Sequence, residues 1–113
     1  MTIFEKILRK EIPATIVYED EHALAFQDIS PQAPIHILVI PKQSARSFSD
    51  LAQWSPTAIG EYMTSIQKVI EHLDLTYGYR IVFNTGDHGG QTVDYLHAHI
   101  LAGERLGWPP FPV

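Results

Sequence analysis

Between Ser55 and Leu73 the chain carries one long amphipathic segment, and a segment of this kind has to find a surface to cover. Ser55-Pro56 provides a capping hydroxyl followed by a proline at the first helical position. Behind it Ile59, Tyr62, Met63, Ile66, Val69, Ile70 and Leu73 recur at spacings of three and four, the signature of a helix with one apolar face. The remaining apolar runs read as the sheet that this face needs. Thr15 to Tyr18 and Ala23 to Phe26 form a hairpin around Glu19-Asp20-Glu21-His22, and Ile35 to Ile40 is a third strand closed by Pro41. Tyr79 to Phe83 and Tyr95 to Ala102 follow the helix, joined by the glycine-bearing loop Asn84 to Thr92. At the front, Thr2 caps a short helix with Ile3, Phe4, Ile7 and Leu8 on one side, which Pro13 ends. The expectation is an α+β fold: a five-stranded, largely antiparallel sheet, one long helix and a short N-terminal helix, in a single domain over residues 1–113.

Composition narrows the function. Eight Lys and Arg against thirteen Asp and Glu leave a formal net charge of −5, which argues against an extended nucleic-acid surface. A small anion remains a possible ligand, because backbone N–H groups and neutral donors can hold a phosphate. The absence of cysteine removes disulfides, thiol catalysis and Cys-type zinc sites. The longest purely aliphatic stretch, Ile37 to Ile40, is far from the about 20 apolar residues of a membrane span. Glu5, Lys6, Arg9, Lys10 and Glu11 interrupt the apolar region a secretory signal would need. A soluble, cytoplasmic protein that binds neither nucleic acid nor membrane is expected.

The six histidines sort by surroundings. His22 in a polar turn, His72 on the helix flank and His88 in the glycine loop read as solvated imidazoles. His97 and His99 differ: residues two apart on a strand share a face, with Cα atoms roughly 6.5 Å apart. Tyr95 and Leu101 lie on that face, whereas Leu96, Ala98 and Ile100 make the other uniformly apolar. The loop ahead of them contains Gly86, Gly89 and Gly90, which permit a backbone tight enough to aim N–H groups at an anion. Two imidazoles beside such a loop suit phosphoryl chemistry, one nitrogen attacking phosphorus and the other donating a proton. His36, among aliphatic residues of the third strand, reads as a supporting residue. Zinc ligation by His36, His97 and His99 is the rival use, but no carboxylate or cysteine of recognisable spacing accompanies them, so neither metal nor other cofactor is expected.

The stretches Asp28-Ile29-Ser30-Pro31-Gln32-Ala33-Pro34 with His36 to Lys42, Gly89-Gly90-Gln91-Thr92-Val93, and Leu96-His97-Ala98-His99-Ile100-Leu101 together resemble the histidine triad (HIT) family. The likeness is to its histidine triad nucleotide-binding, or purine nucleoside phosphoramidase, branch, and runs from Thr2 through Pro110. The resemblance implies hydrolysis of nucleoside phosphoramidates or related nucleoside phosphate esters through a covalent nucleotidyl-histidine. It assigns His97 as nucleophile and His99 as the last triad histidine, with Asn84, Thr92 and the Gly90 loop around phosphate. It places Asp28 on the ribose hydroxyls, and Phe4, Ile7, Ile12, Phe26 and Ile29 around the base of a purine nucleotide such as AMP. A homodimer is implied too, and would shelter the aromatics of Trp108-Pro109-Pro110-Phe111-Pro112.

Two positions depart from the family pattern: Tyr95 stands where the first triad histidine belongs, and Ser44 where a histidine usually follows the third strand. The nucleophile's second nitrogen is expected on the main-chain carbonyl of residue 95, which a side-chain change leaves in place. His99, where the nucleotidyltransferase branch has glutamine, favours hydrolysis. The alternatives are a nucleotide-binding or protein-interaction module with catalysis weakened by Tyr95, and a dinucleoside polyphosphate hydrolase.

Overall fold

The computed structural model describes residues 1–110; Phe111 and Pro112, part of the aromatic terminus invoked for a dimer, lie outside the described residues. Element order is α1 (Ile3–Leu8), β1 (Ile16–Glu19), β2 (Ala23–Gln27), β3 (Ile35–Pro41), a 3-10 turn (Phe48–Gln53), α2 (Pro56–Leu73), β4 (Arg80–Val82) and β5 (Ala98–Ala102). The five strands form one sheet in the order β1-β2-β3-β5-β4, every neighbouring pair antiparallel.

The helix starts are chemically explicit. Thr2 and Glu5 close a reciprocal capping box, Glu5 N–H on Thr2 Oγ1 at 3.3 Å and Thr2 N–H on Glu5 Oε1 at 2.8 Å. Ser55 Oγ accepts from Ala58 N–H at 3.1 Å ahead of Pro56. The α1 end differs from the expectation: the helix stops at Leu8, well before Pro13. Lys10 turns left-handed at φ 61° while its N–H and that of Glu11 bond back to Ile7 and Lys6, so a C-terminal cap ends the helix before the proline can.

Period-two alternation splits the sheet residues between two cores. Ala23, Ala25, Ile37, Val39, Leu96, Ala98 and Ile100 face α2, which contributes Tyr62, Ile66 and Val69. Leu24, Phe26, Leu38, Ile40 and Tyr95 face the other way and are covered by Phe4 and Ile7 of α1. Asp20 fastens the β1–β2 turn to α2. Its carboxylate accepts from Ser65 Oγ at 2.8 Å, Tyr18 OH at 2.9 Å, and the N–H groups of His22 and Ala23. Burial pushes the Asp20 carboxyl up, and these donors outweigh it, so its pKa lies below the usual carboxylate value.

Two strands are shorter than expected. The β4 strand covers only Arg80–Val82, and β5 begins at Ala98 rather than Tyr95, because Leu96 N–H bonds the Ala45 carbonyl at 2.8 Å instead of continuing the ladder with β3. Tyr95 and Leu96 still face opposite cores across this break, and the His97 ring meets Phe4 on the α1 side with Tyr95.

Tyr62, 1% exposed, donates its hydroxyl to the Val39 carbonyl at 2.7 Å, joining α2 to the central strand. Tyr62→Phe removes that donor from a buried carbonyl and is expected to cost about 1–3 kcal/mol. Urea unfolding should show a lowered midpoint at an unchanged slope.

Candidate active site

The site is built on the sheet face that α1 only partly covers. Register decides its membership: Leu38 lies opposite His99 and His36 opposite Leu101, so the two histidines are diagonal neighbours across β3 and β5. Asp28 follows β2 directly, its N–H bonding the His36 carbonyl at 3.0 Å, which brings its carboxylate beside the same ring. His36 Nε2 is 2.9 Å from His99 Nδ1 and 3.5 Å from Asp28 Oδ2. His99 in turn sits with its ring centroid 5.0 Å from that of His97.

Hydrogen bonds set which nitrogen of each ring carries hydrogen. His97 Nδ1 is 2.7 Å from the Tyr95 main-chain carbonyl, which can only accept. Nδ1 of His97 therefore carries hydrogen, and the neutral ring keeps its lone pair at Nε2. The second chain runs the other way. Gln32 N–H donates to His36 Nδ1 at 3.0 Å, so the hydrogen of neutral His36 is on Nε2 and points to His99 Nδ1. His99 then carries its own hydrogen at Nε2. One imidazole presents a lone pair and its neighbour an N–H.

Burial keeps these rings neutral. His36 and His97 are 6% and 5% exposed, and the edge of Phe4 closes on His97 with ring centroids 4.9 Å apart. Desolvation lowers the pKa of both, against the opposing pull of Asp28 and, for His97, the bond to the Tyr95 carbonyl. His99 goes furthest, pushed down to about 4 by burial and then by His97 and His36 beside it. Tyr95 adds no charge here. It is buried, its hydroxyl donates to the Pro41 carbonyl at 2.6 Å, and burial pushes its pKa up to about 12. The expected carbonyl contact at position 95 is thus present although the histidine is not.

Asn84 and the glycine loop lie beyond β4, the Asn84 amide donating to the Gly89 carbonyl at 2.8 Å. Gly90 takes φ 78° and its own N–H is bonded to Asp87, so its contribution is shape rather than a free donor. At Gly89 a Cβ would come within 2.2 Å of the Thr85 carbonyl oxygen, so only glycine closes this turn. Thr92 is exposed at the end of the loop. Of the residues expected around a base, Phe4, Ile7 and Phe26 pack in the α1-side cluster and Ile12 lies partly buried against it. Ile29, 95% exposed, belongs to neither core cluster.

His36 is more than a core group, since it passes its hydrogen to His99. Sequence reasoning missed this because the contact depends on register between distant strands. It also passed over Gln91, whose amide is bonded on three sides. Among the described residues Asp28, His36 and His99 bring ligand atoms within 4.8 Å of one another. This set differs from the His36, His97 and His99 group, and two of its nitrogens already share a hydrogen bond that a cation would have to break.

Because these histidines have lower pKa values folded than unfolded, the unfolded chain binds more protons between about pH 4 and the ordinary histidine value of 6.5. Stability should therefore be fully present above about pH 6.5 and fall as pH drops towards 4. Urea midpoints measured across this range should show the decline, and His99→Gln should flatten it; an equally steep decline in the variant would contradict the assignment.

Comparison with known proteins agrees with this architecture. The HIT domain family model matches residues 9–106. A Synechococcus elongatus protein described as an uncharacterised HIT-like protein is 50% identical over 96% of both chains. The purine nucleoside phosphoramidase of Escherichia coli K12 is 46% identical, covering 94% of this chain and 90% of that protein. The crystal structure of a HIT family hydrolase from Legionella pneumophila superposes with a TM-score of 0.91 at 40% identity, covering 98% of this chain and all of that one. With its HIT-like α+β fold and hydrolase relatives, this chain belongs to the histidine triad family.

Proposed function

We propose that this HIT-type hydrolase cleaves nucleoside 5′-phosphoramidates, or related nucleoside phosphate esters, through a covalent nucleotidyl intermediate on His97. The observation that carries the reading is the opposed pair of tautomers: a lone pair at His97 Nε2 next to a hydrogen at His99 Nε2. The lone pair forms a bond to phosphorus while the bond from phosphorus to the leaving nitrogen or oxygen breaks with its electron pair. His99 Nε2–H donates to the leaving atom, and its proton moves there as negative charge develops and the bond breaks. Water then attacks phosphorus and gives one proton back to His99 Nε2, its hydroxyl stays on phosphorus, and the bond to His97 breaks with its electron pair returning to Nε2. Both histidines end neutral, and the products are the protonated leaving group and the nucleoside monophosphate.

The remaining assignments follow the family likeness. Asp28 accepts from the ribose hydroxyls, for which a carboxylate offers two acceptors. Phe4, Ile7, Ile12, Phe26 and Ile29 surround a purine base such as that of AMP, and Asn84, Thr92 and the Gly90 loop surround the phosphate. No metal or cofactor enters the reaction. The Tyr95 carbonyl supports turnover over a purely binding role, because it holds His97 without a histidine at position 95. A homodimer operating in the cytoplasm completes the reading, supported by the 82% exposure of Trp108 in the single chain.

Single-turnover reaction with adenosine 5′-phosphoramidate in the presence of a chelator, quenched and mapped by mass spectrometry, should show the nucleotidyl adduct on His97. His97→Ala should lose both adduct and turnover. An adduct on His99 or His36, or unimpaired turnover in His97→Ala, would refute the assignment, as binding of AMP without any turnover would favour the module. Light scattering at micromolar concentration should give twice the 12.8 kDa mass of one chain; a monomer only would remove the dimer.

A further inference from the structure

We propose that Gln91 is a positioning residue that locks the glycine loop to the backbone carrying His97, an inference that rests on the loop's role at phosphate in the reading above. Its side-chain amide spends both N–H groups on backbone carbonyls, Arg46 at 2.6 Å and Val93 at 3.0 Å, and accepts from Gly86 N–H at 3.0 Å. Three segments distant along the chain or flanking the loop thereby meet at one planar group.

Each bond has a distinct geometric effect. At the loop base, Gln91 N–H bonds the Gly86 carbonyl at 3.0 Å while Gly86 N–H bonds Gln91 Oε1, so residues 86 and 91 exchange two hydrogen bonds and close the turn. Inside it, Gly90 N–H on Asp87 and Asn84 on Gly89 hold the turn's shape. The bond to Val93 reaches past Thr92 and holds the peptide between Val93 and Asp94, just ahead of Tyr95. The bond to Arg46 reaches a segment that also holds the approach to the nucleophile: Ala45 carbonyl takes Leu96 N–H, one residue before His97. Arg46 reinforces the same link by pairing with Asp94 at 2.6 Å. Loop and nucleophile are thus referred to one shared piece of backbone at 45–46. An isolated glycine turn has the torsional freedom to drift relative to β5, and this amide removes it.

A group that positions the phosphate loop affects the transition state more than the ground state, since reacting geometry tolerates about 1 Å of error at a cost near 10²-fold. Gln91→Ala is expected to lower kcat for adenosine 5′-phosphoramidate by about 10- to 100-fold while KM stays within about 3-fold. Gln91→Glu keeps size and the acceptor for Gly86 but, ionised, turns a carboxylate towards two carbonyl oxygens; protonated, it regains one donor. The ratio of its kcat to that of the wild type should therefore rise as pH is lowered through the carboxyl range. Gln91→Glu also carries the test if Gln91→Ala fails to fold. Wild-type kcat in Gln91→Ala, or in Gln91→Glu at neutral pH, would overturn the proposal while leaving the hydrolase reading standing. Absence of turnover in the wild type itself would instead bring down the hydrolase reading, and this inference with it.

Discussion

The pairing of β3 with β5, with Leu38 opposite His99, is the constraint from which the site follows. A slip of one residue would turn His99 to the α2 side and bring Ala98 or Ile100 to the histidine face. Burial prevents the slip. Ile37, Val39, Ala98 and Ile100 are 0–3% exposed beneath α2, and moving any of them to the other face would leave that core unfilled while burying imidazoles in it. The same apolar packing that stabilises the sheet therefore specifies the diagonal contact of His36 with His99.

From that contact the chemistry of the site is a matter of direction. A main-chain carbonyl at His97 and a main-chain N–H at His36 are opposite in polarity, and each propagates through a ring to its far nitrogen. The result is a lone pair and a hydrogen presented side by side without any formal charge. The edge of Phe4 and the burial of His97 desolvate that ring, which disfavours its imidazolium form and keeps a nucleophilic nitrogen available at neutral pH. Tyr95 fits this arrangement: a phenol tied to Pro41 packs in the α1-side cluster and introduces no titratable competitor near neutrality.

Much of this organisation is written locally. Capping at Thr2 and Ser55, the apolar stripe of α2, and the alternation through Leu96, His97, Ala98 and His99 each depend on a few adjacent residues, and each is realised in the fold. The limits of the elements were less accessible. Lys10 ends α1 ahead of Pro13, and Ala45 takes the hydrogen bond that would have extended β5 to Tyr95, because a partner from elsewhere outcompetes the local signal.

The sequence by itself determined that the chain would be an α+β domain with two histidines on one face beside a glycine loop, since backbone periodicity and turn chemistry act over neighbouring residues. Only the tertiary structure decided that His36 feeds its hydrogen to His99, that Asp28 stands beside that pair, and that Gln91 joins the loop to the segment at Ala45 and Arg46. Those contacts link residues far apart in the chain or depend on the course of a loop. Their partners are selected by strand register and by the need of each buried donor and acceptor to find a mate, neither of which a local pattern encodes.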